Sequence, residues 1–145
     1  MTHSYDKHEG RKTVMMSFLL VCDESDTLNE FERCLEGLPD ISLQKVTSGQ
    51  DALDLVKDKA NKVDLAVVDQ MVGGMPGIRW VEQMLPLNPM VNTALVSSLS
   101  DEDFHEYTEG LGVLMRIPLD PDKTTVTRVV ERLVKVLSLY QTPGA

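Results

Sequence analysis

Apolar and polar residues fall into blocks along this chain, and the blocks change period. SFLLVC (17–22) is a short apolar run bounded by polar residues, the pattern of a strand buried on both faces. Leu28, Phe31, Leu35 and Leu38 follow at helical spacing. Ser25, Asp26 and Thr27 offer N-cap oxygens, Glu30 lies three residues after Thr27, and Gly37-Leu38-Pro39 closes the helix. The alternation then repeats. ISLQKV (41–46) predicts a second strand, and Ser48 caps a helix carrying Ala52, Leu53, Leu55 and Val56. DLAVVD (64–69) predicts a third strand and residues 70–77 a loop. Ile78, Val81, Met84 and Leu85 mark a helix that Pro86 should end. VNTALVS (91–97) predicts a fourth strand, and Ser100 with Asp103 opens an acidic helix over 101–109. GVLMRI (112–117) predicts a fifth strand. Asp120-Pro121 opens a last helix, with proline in the first turn and an apolar stripe of Val126, Val129, Val130, Leu133 and Leu137.

Five strands alternating with five helices through short connections predict right-handed βαβ units. The implied fold is α/β, with a parallel sheet covered on both faces. Residues 1–15 are mostly polar and aperiodic, so a flexible leader is expected there. Residues 16–140 are expected to form one domain and 141–145 a tail.

Composition narrows the function. The formal net charge is −9, which repels a nucleic-acid backbone or an anionic membrane. Cys22 and Cys34 show no metal spacing and no disulfide framework, which fits a reducing cytoplasm. No apolar run is long enough to span a bilayer, and the N-terminus lacks the apolar core of a signal peptide.

In an open α/β sheet, ligands bind beyond the carboxyl ends of the strands. The first strand delivers Cys22, Asp23 and Glu24 to that edge, the third Asp69, and the fourth Ser97 and Ser98. Two carboxylates and a hydroxyl there suit a hard cation such as Mg²⁺, which takes oxygen ligands. The same residues also have plain structural readings: loop acids favouring a helix N-terminus, a loop hydroxyl, and glycines 73, 74 and 77 supplying turns.

The segments LLVCDES, DLAVVDQMVGGMPG, ALVSS and MRIPLD, in this order and spacing, resemble the receiver domain of two-component response regulators over about residues 17–138. The resemblance implies a flavodoxin-like (βα)5 three-layer sandwich with strand order 2-1-3-4-5. It implies a signalling module rather than an enzyme. Its chemistry would be phosphoryl transfer, with Mg²⁺, from a sensor histidine kinase or phosphotransfer protein. Asp69 falls on the phospho-acceptor, Asp23 on the direct metal ligand, Met71 on the residue lending Mg²⁺ its backbone carbonyl, and Ser97 on the phosphoryl-sensing hydroxyl. Pro118 falls on the proline after the family lysine.

The departures define an atypical version. Cys22 replaces one acid of the family pair, and Ile117 replaces the lysine that binds the phosphoryl group. Leu114 stands where a switching aromatic is usual, Gly73 replaces a proline, and Pro76 replaces an acid. With Cys22 a neutral thiol, Asp23 and Asp69 leave the site the formal charge it has in the family, an acid and a lysine having gone together. Phosphoryl acceptance on Asp69 and a phosphorylation-independent interaction module both fit these residues. A nucleotide or flavin site fits poorly, because the first strand leads into acidic CDESDT rather than a glycine-rich phosphate loop. A homodimer through the fourth helix, fifth strand and fifth helix is expected to pair acids 101–109 with the stripe of Arg128, Arg132 and Lys135.

Overall fold

The computed structural model describes residues 5–6, 11–12, 15–23 and 26–140. The remainder of the expected leader, the tail 141–145, Glu24 and Ser25 lie outside the described residues. Within the leader, Tyr5–Asp6 pairs antiparallel with Arg11–Lys12.

Five strands form one parallel sheet: β1 (Met16–Val21), β2 (Ile41–Val46), β3 (Leu65–Val68), β4 (Asn92–Val96) and β5 (Val113–Ile117). Their spatial order is β2-β1-β3-β4-β5. Five helices connect and follow them: α1 (Asn29–Glu36), α2 (Gly49–Lys57), α3 (Gly77–Met84), α4 (Asp101–Tyr107) and α5 (Lys123–Tyr140). The expected alternation, order and flavodoxin-like class hold, with boundaries a residue or so shorter on most strands.

Alternation along each strand divides the apolar residues between two layers. Phe18, Leu20, Leu65, Val67, Ala94, Val96 and Ile117 meet Phe31, Leu35, Val126, Val129 and Leu133 of α1 and α5. Leu19, Val21, Ala66, Val68 and Leu95 meet Ala52, Val56, Trp80, Val81, Met84 and Phe104 on the opposite face. A strand clothed on both sides favours apolar residues at every position, which is why the LAVV of β3 is an unbroken run.

Two helix starts differ from the sequence expectation. α1 begins at Asn29 with Leu28 in the cap position and no side-chain cap bond; the Asn29 N–H donates to the Asp26 carbonyl instead. Leu38, expected in the apolar stripe of α1, lies beyond it and is exposed. α5 begins at Lys123, so Pro121 precedes the helix rather than filling its first turn. Asp122 Oδ1 accepts the Thr125 N–H at 3.1 Å while the Asp122 N–H reaches Thr125 Oγ1 at 3.4 Å, a reciprocal closure that outcompetes Asp120.

The segment after β3 is not a plain loop. Met71–Val72 pairs antiparallel with Met75–Pro76 around Gly73 and Gly74, whose φ values of 56° and 85° are those a two-residue type I′ turn demands. This hairpin folds back so that α3 starts directly against the end of β3.

Candidate functional site at the carboxyl edge of the sheet

Asp69 follows the last residue of β3, the middle strand, and is only 3% exposed. Its N–H donates to the Val21 carbonyl at 2.9 Å, extending the β1–β3 ladder by one step. Its Oδ1 accepts the Gln70 N–H at 2.8 Å, and its Oδ2 accepts the Asp23 N–H at a longer 3.3 Å. These two backbone donors help to orient the carboxylate. The Asp23 backbone thus stands beside Asp69, as the sequence expectation required.

Ser97 extends β4 in the same way, its N–H donating to the Ile117 carbonyl at 2.9 Å. Its Oγ accepts the Leu99 N–H at 3.1 Å, which leaves the hydroxyl hydrogen free to donate elsewhere. Beside it lies a cavity of about 280 Å³ lined by Gln70, Ile78, Leu95, Leu99 and Tyr107, among others. An aromatic therefore does stand near Ser97. It comes from the end of α4, is 47% exposed, and was missed because a strand aromatic was sought. Leu114 packs against the α1–α5 layer, away from this cavity.

Ile117 is fully buried in that same layer. It offers neither charge nor donor to the edge. Cys22 is also buried, its thiol pushed up to about 11, chiefly by desolvation and further by the charges of Asp69 and Glu32, against the lowering effect of Lys45. It is a neutral thiol at physiological pH, as the charge argument assumed. Lys45, however, was overlooked. It pairs in register with Leu20, so it shares a sheet face with Cys22, and its Nζ donates to Glu32 Oε1 at 2.9 Å. The bond to Glu32 holds the Lys45 ammonium above its usual range. The only sequence signal was position: a lysine near the end of a strand flanking β1.

The Asp23 backbone lies against Asp69, and Met71 opens the hairpin that follows it. Among the described residues no group of three or more His, Cys, Asp or Glu side chains gathers into a metal site. Among them, too, no helix is long and apolar enough to cross a membrane.

A search of the curated proteins finds no match. Solved structures do match. A signal receiver domain of a putative Luxo repressor protein from Vibrio parahaemolyticus aligns with a TM-score of 0.74 at 14% identity, covering 91% of this chain and all of that one (100%). A signal receiver domain of an HD domain-containing protein from Pseudomonas fluorescens Pf-5 aligns at 0.72 and 16%, covering 88% and 92%. A CheY-like response regulator receiver domain protein from Methanospirillum hungatei JF-1 aligns at 0.69 and 16%, covering 86% and 98%. Identities this low speak for the fold alone. The sequence model described as response regulator receiver domain matches residues 18–126. That span contains β2 to β5 in full, β1 from Phe18 onward and every residue of the edge described above, and the chain belongs to the response regulator receiver domain family.

Proposed function

We propose that this receiver domain takes a phosphoryl group onto Asp69 from a histidine of a sensor kinase or phosphotransfer protein, and does so slowly. The observation that carries the reading is the Asp69 carboxylate, buried at the end of the middle strand and oriented by two backbone N–H groups. In the transfer, an Asp69 oxygen bonds to phosphorus as the phosphorus–nitrogen bond of the phosphohistidine breaks and the imidazole takes up a proton. Asp23, Asp69 and the Met71 carbonyl would hold Mg²⁺, which when bound neutralises charge on the phosphoryl oxygens. The Ser97 hydroxyl, whose oxygen accepts the Leu99 N–H, would donate to the transferred group. Transfer is slow because Ile117 supplies no cation for the charge that spreads in the transition state, and Lys45 is engaged with Glu32. The proposed setting is the cytoplasm, in keeping with free thiols at Cys22 and Cys34.

The buried Ile117 also favours a second reading, a pseudo-receiver that binds partners without being phosphorylated. Intact-mass analysis after acetyl phosphate and Mg²⁺ separates the two. The expected result is partial addition of one phosphoryl group to the wild type and none to Asp69→Asn. Fast, complete modification contradicts slow transfer. Equal labelling of the Asn variant removes Asp69, and no labelling of the wild type after long incubation establishes the second reading.

A further inference from the structure

Ile117 brings no cation to the carboxyl edge from the fifth strand, yet a lysine stands near the end of the second. Lys45 pairs in register with Leu20, and Leu20 with Val67. Asp69 lies two residues beyond Val67 and extends the same ladder through its N–H to the Val21 carbonyl. Residues two apart along a strand share a face, so Lys45, Cys22 and Asp69 fall on the face that carries Leu20 and Val67. Two strand spacings of about 4.8 Å and two residues of about 3.3 Å put the Cα atoms of Lys45 and Asp69 roughly 12 Å apart. An extended lysine stem covers about 6 Å and an aspartate carboxylate about 3 Å, so a phosphoryl group between them closes the gap. The way is open: a cavity of about 310 Å³ runs from Lys45 past Cys22 to Asp23, whose N–H donates to Asp69 Oδ2. Arg116 also stands near this edge, but it neighbours Ile117 and so takes the opposite face. Its Nε donates to Asp101 Oδ1 at 2.9 Å and its Nη1 to the Ser97 carbonyl at 3.2 Å.

We infer that Lys45 is the protein's cation for transfer to Asp69, and that Glu32 holds it back: the ammonium leaves Glu32 and takes the phosphoryl oxygens as they pass to the aspartate. The inference rests on the proposed acceptor role of Asp69. In the resting domain Lys45 Nζ donates to Glu32 Oε1 at 2.9 Å. The two side chains are 40% and 23% exposed, and an ion pair this open to water is weakly held. Phosphoryl transfer spreads negative charge over the equatorial oxygens, and an ammonium on a flexible stem can follow that charge. Glu32 and the phosphoryl group therefore compete for one ammonium. The competition makes transfer slow without abolishing it, and it places control of the rate on α1, away from the reacting atoms.

The test is the rate at which acetyl phosphate with Mg²⁺ adds one phosphoryl group, read by intact mass. An Asp69 oxygen bonds to phosphorus as the bond from phosphorus to the acetyl oxygen breaks, and acetate leaves. Lys45→Gln is expected to slow labelling about tenfold and Glu32→Gln to speed it several-fold. Lys45→Arg keeps the charge and should stay within a few-fold of wild type, which a purely structural loss would not allow. The double variant Glu32→Gln, Lys45→Gln should match Lys45→Gln alone, because Glu32 acts only through the lysine. Lys59, exposed between α2 and β3, controls for net charge, and Lys59→Gln should leave the rate unchanged. Thermal unfolding by circular dichroism checks that the variants fold. Equal rates for wild type and Lys45→Gln overturn the role of Lys45 while the acceptor reading stands. A double variant as fast as Glu32→Gln also overturns it, since Glu32 would then act by its own charge. Equal slowing by Lys59→Gln reduces the effect to net charge and overturns it too. No labelling of the wild type removes the acceptor reading itself, and the role of Lys45 with it.

Discussion

A Cβ placed on Gly77 would lie 2.1 Å from the Asp69 carbonyl oxygen, 2.9 Å from Leu95 Cδ1 and 3.1 Å from Val68 Cγ1. The backbone there is in an ordinary region, so space and not conformation demands glycine. The Gly77 N–H also donates to the Gln70 carbonyl at 2.8 Å, clamping the hairpin shut beneath Asp69. Gly77→Ala must push backbone against backbone, and its expected cost is about 3 kcal/mol or more. Gly73 has a positive φ but open space around it, so Gly73→Asn, which tolerates that conformation, should cost under about 1 kcal/mol. Urea denaturation of the two variants checks the contrast, and similar losses would contradict it. Cys22 gives a pH test. Its folded pKa of about 11 lies above its ordinary 9.0, so over that interval the unfolded chain gives up the thiol proton while the folded one keeps it. The unfolded state then binds fewer protons, and stability falls as pH rises from 9 toward 11. Cys22→Ala removes this part of the fall, so the stability difference between wild type and variant should shift in the variant's favour across the window. A difference that stays flat in pH would show that the thiol is not held neutral.

The helices show where local chemistry settles structure and where it is overruled. Ser48 Oγ accepts the Asp51 N–H and Ser100 Oγ the Asp103 N–H, each at 3.1 Å, as the sequence implied. Those caps were legible because an extended serine followed by a helix former has one good use for its hydroxyl. The start of α5 was not. Asp120-Pro121 carries the usual signature, yet Asp122 and Thr125 close on one another two residues later, and Thr125 is buried. Tertiary packing of Val126 and Val129 in the apolar layer shared with α1 and β5 fixes the helix phase, and the cap follows it. Asp122→Ala should therefore lower stability by about 1 kcal/mol and Asp120→Ala by much less. Chemical denaturation decides, and the reverse ranking would restore the earlier helix start.

Across the whole molecule, the parallel sheet was legible because short alternating units favour right-handed βαβ connections, while its strand order came from the resemblance to receiver domains. Asp69, Asp23 and Ser97 were legible because strand ends deliver their residues to one edge. Lys45, Arg116 and Tyr107 were not. Each reaches its neighbour by a long side chain from a different element, and no local pattern encodes that meeting. The charge of −9 spread over this small domain predicts self-repulsion in the folded state. Adding sodium chloride to about 0.15 M, where the screening length is about 8 Å, should raise the melting temperature. A fall would mean that attractive pairs such as Arg116–Asp101 and Lys45–Glu32 outweigh the net repulsion. One buried ring gives the molecule its own signal. Trp80, the single tryptophan, is fully enclosed and donates its indole N–H to the Gly49 carbonyl at 3.0 Å. The indole, Val72 and Met75 crowd the same point above Gly49, so the ring rests on the hairpin that follows Asp69. Its fluorescence is therefore an internal lamp on that hairpin. A cation bound at the carboxyl edge beside this hairpin should change the brightness without any dye.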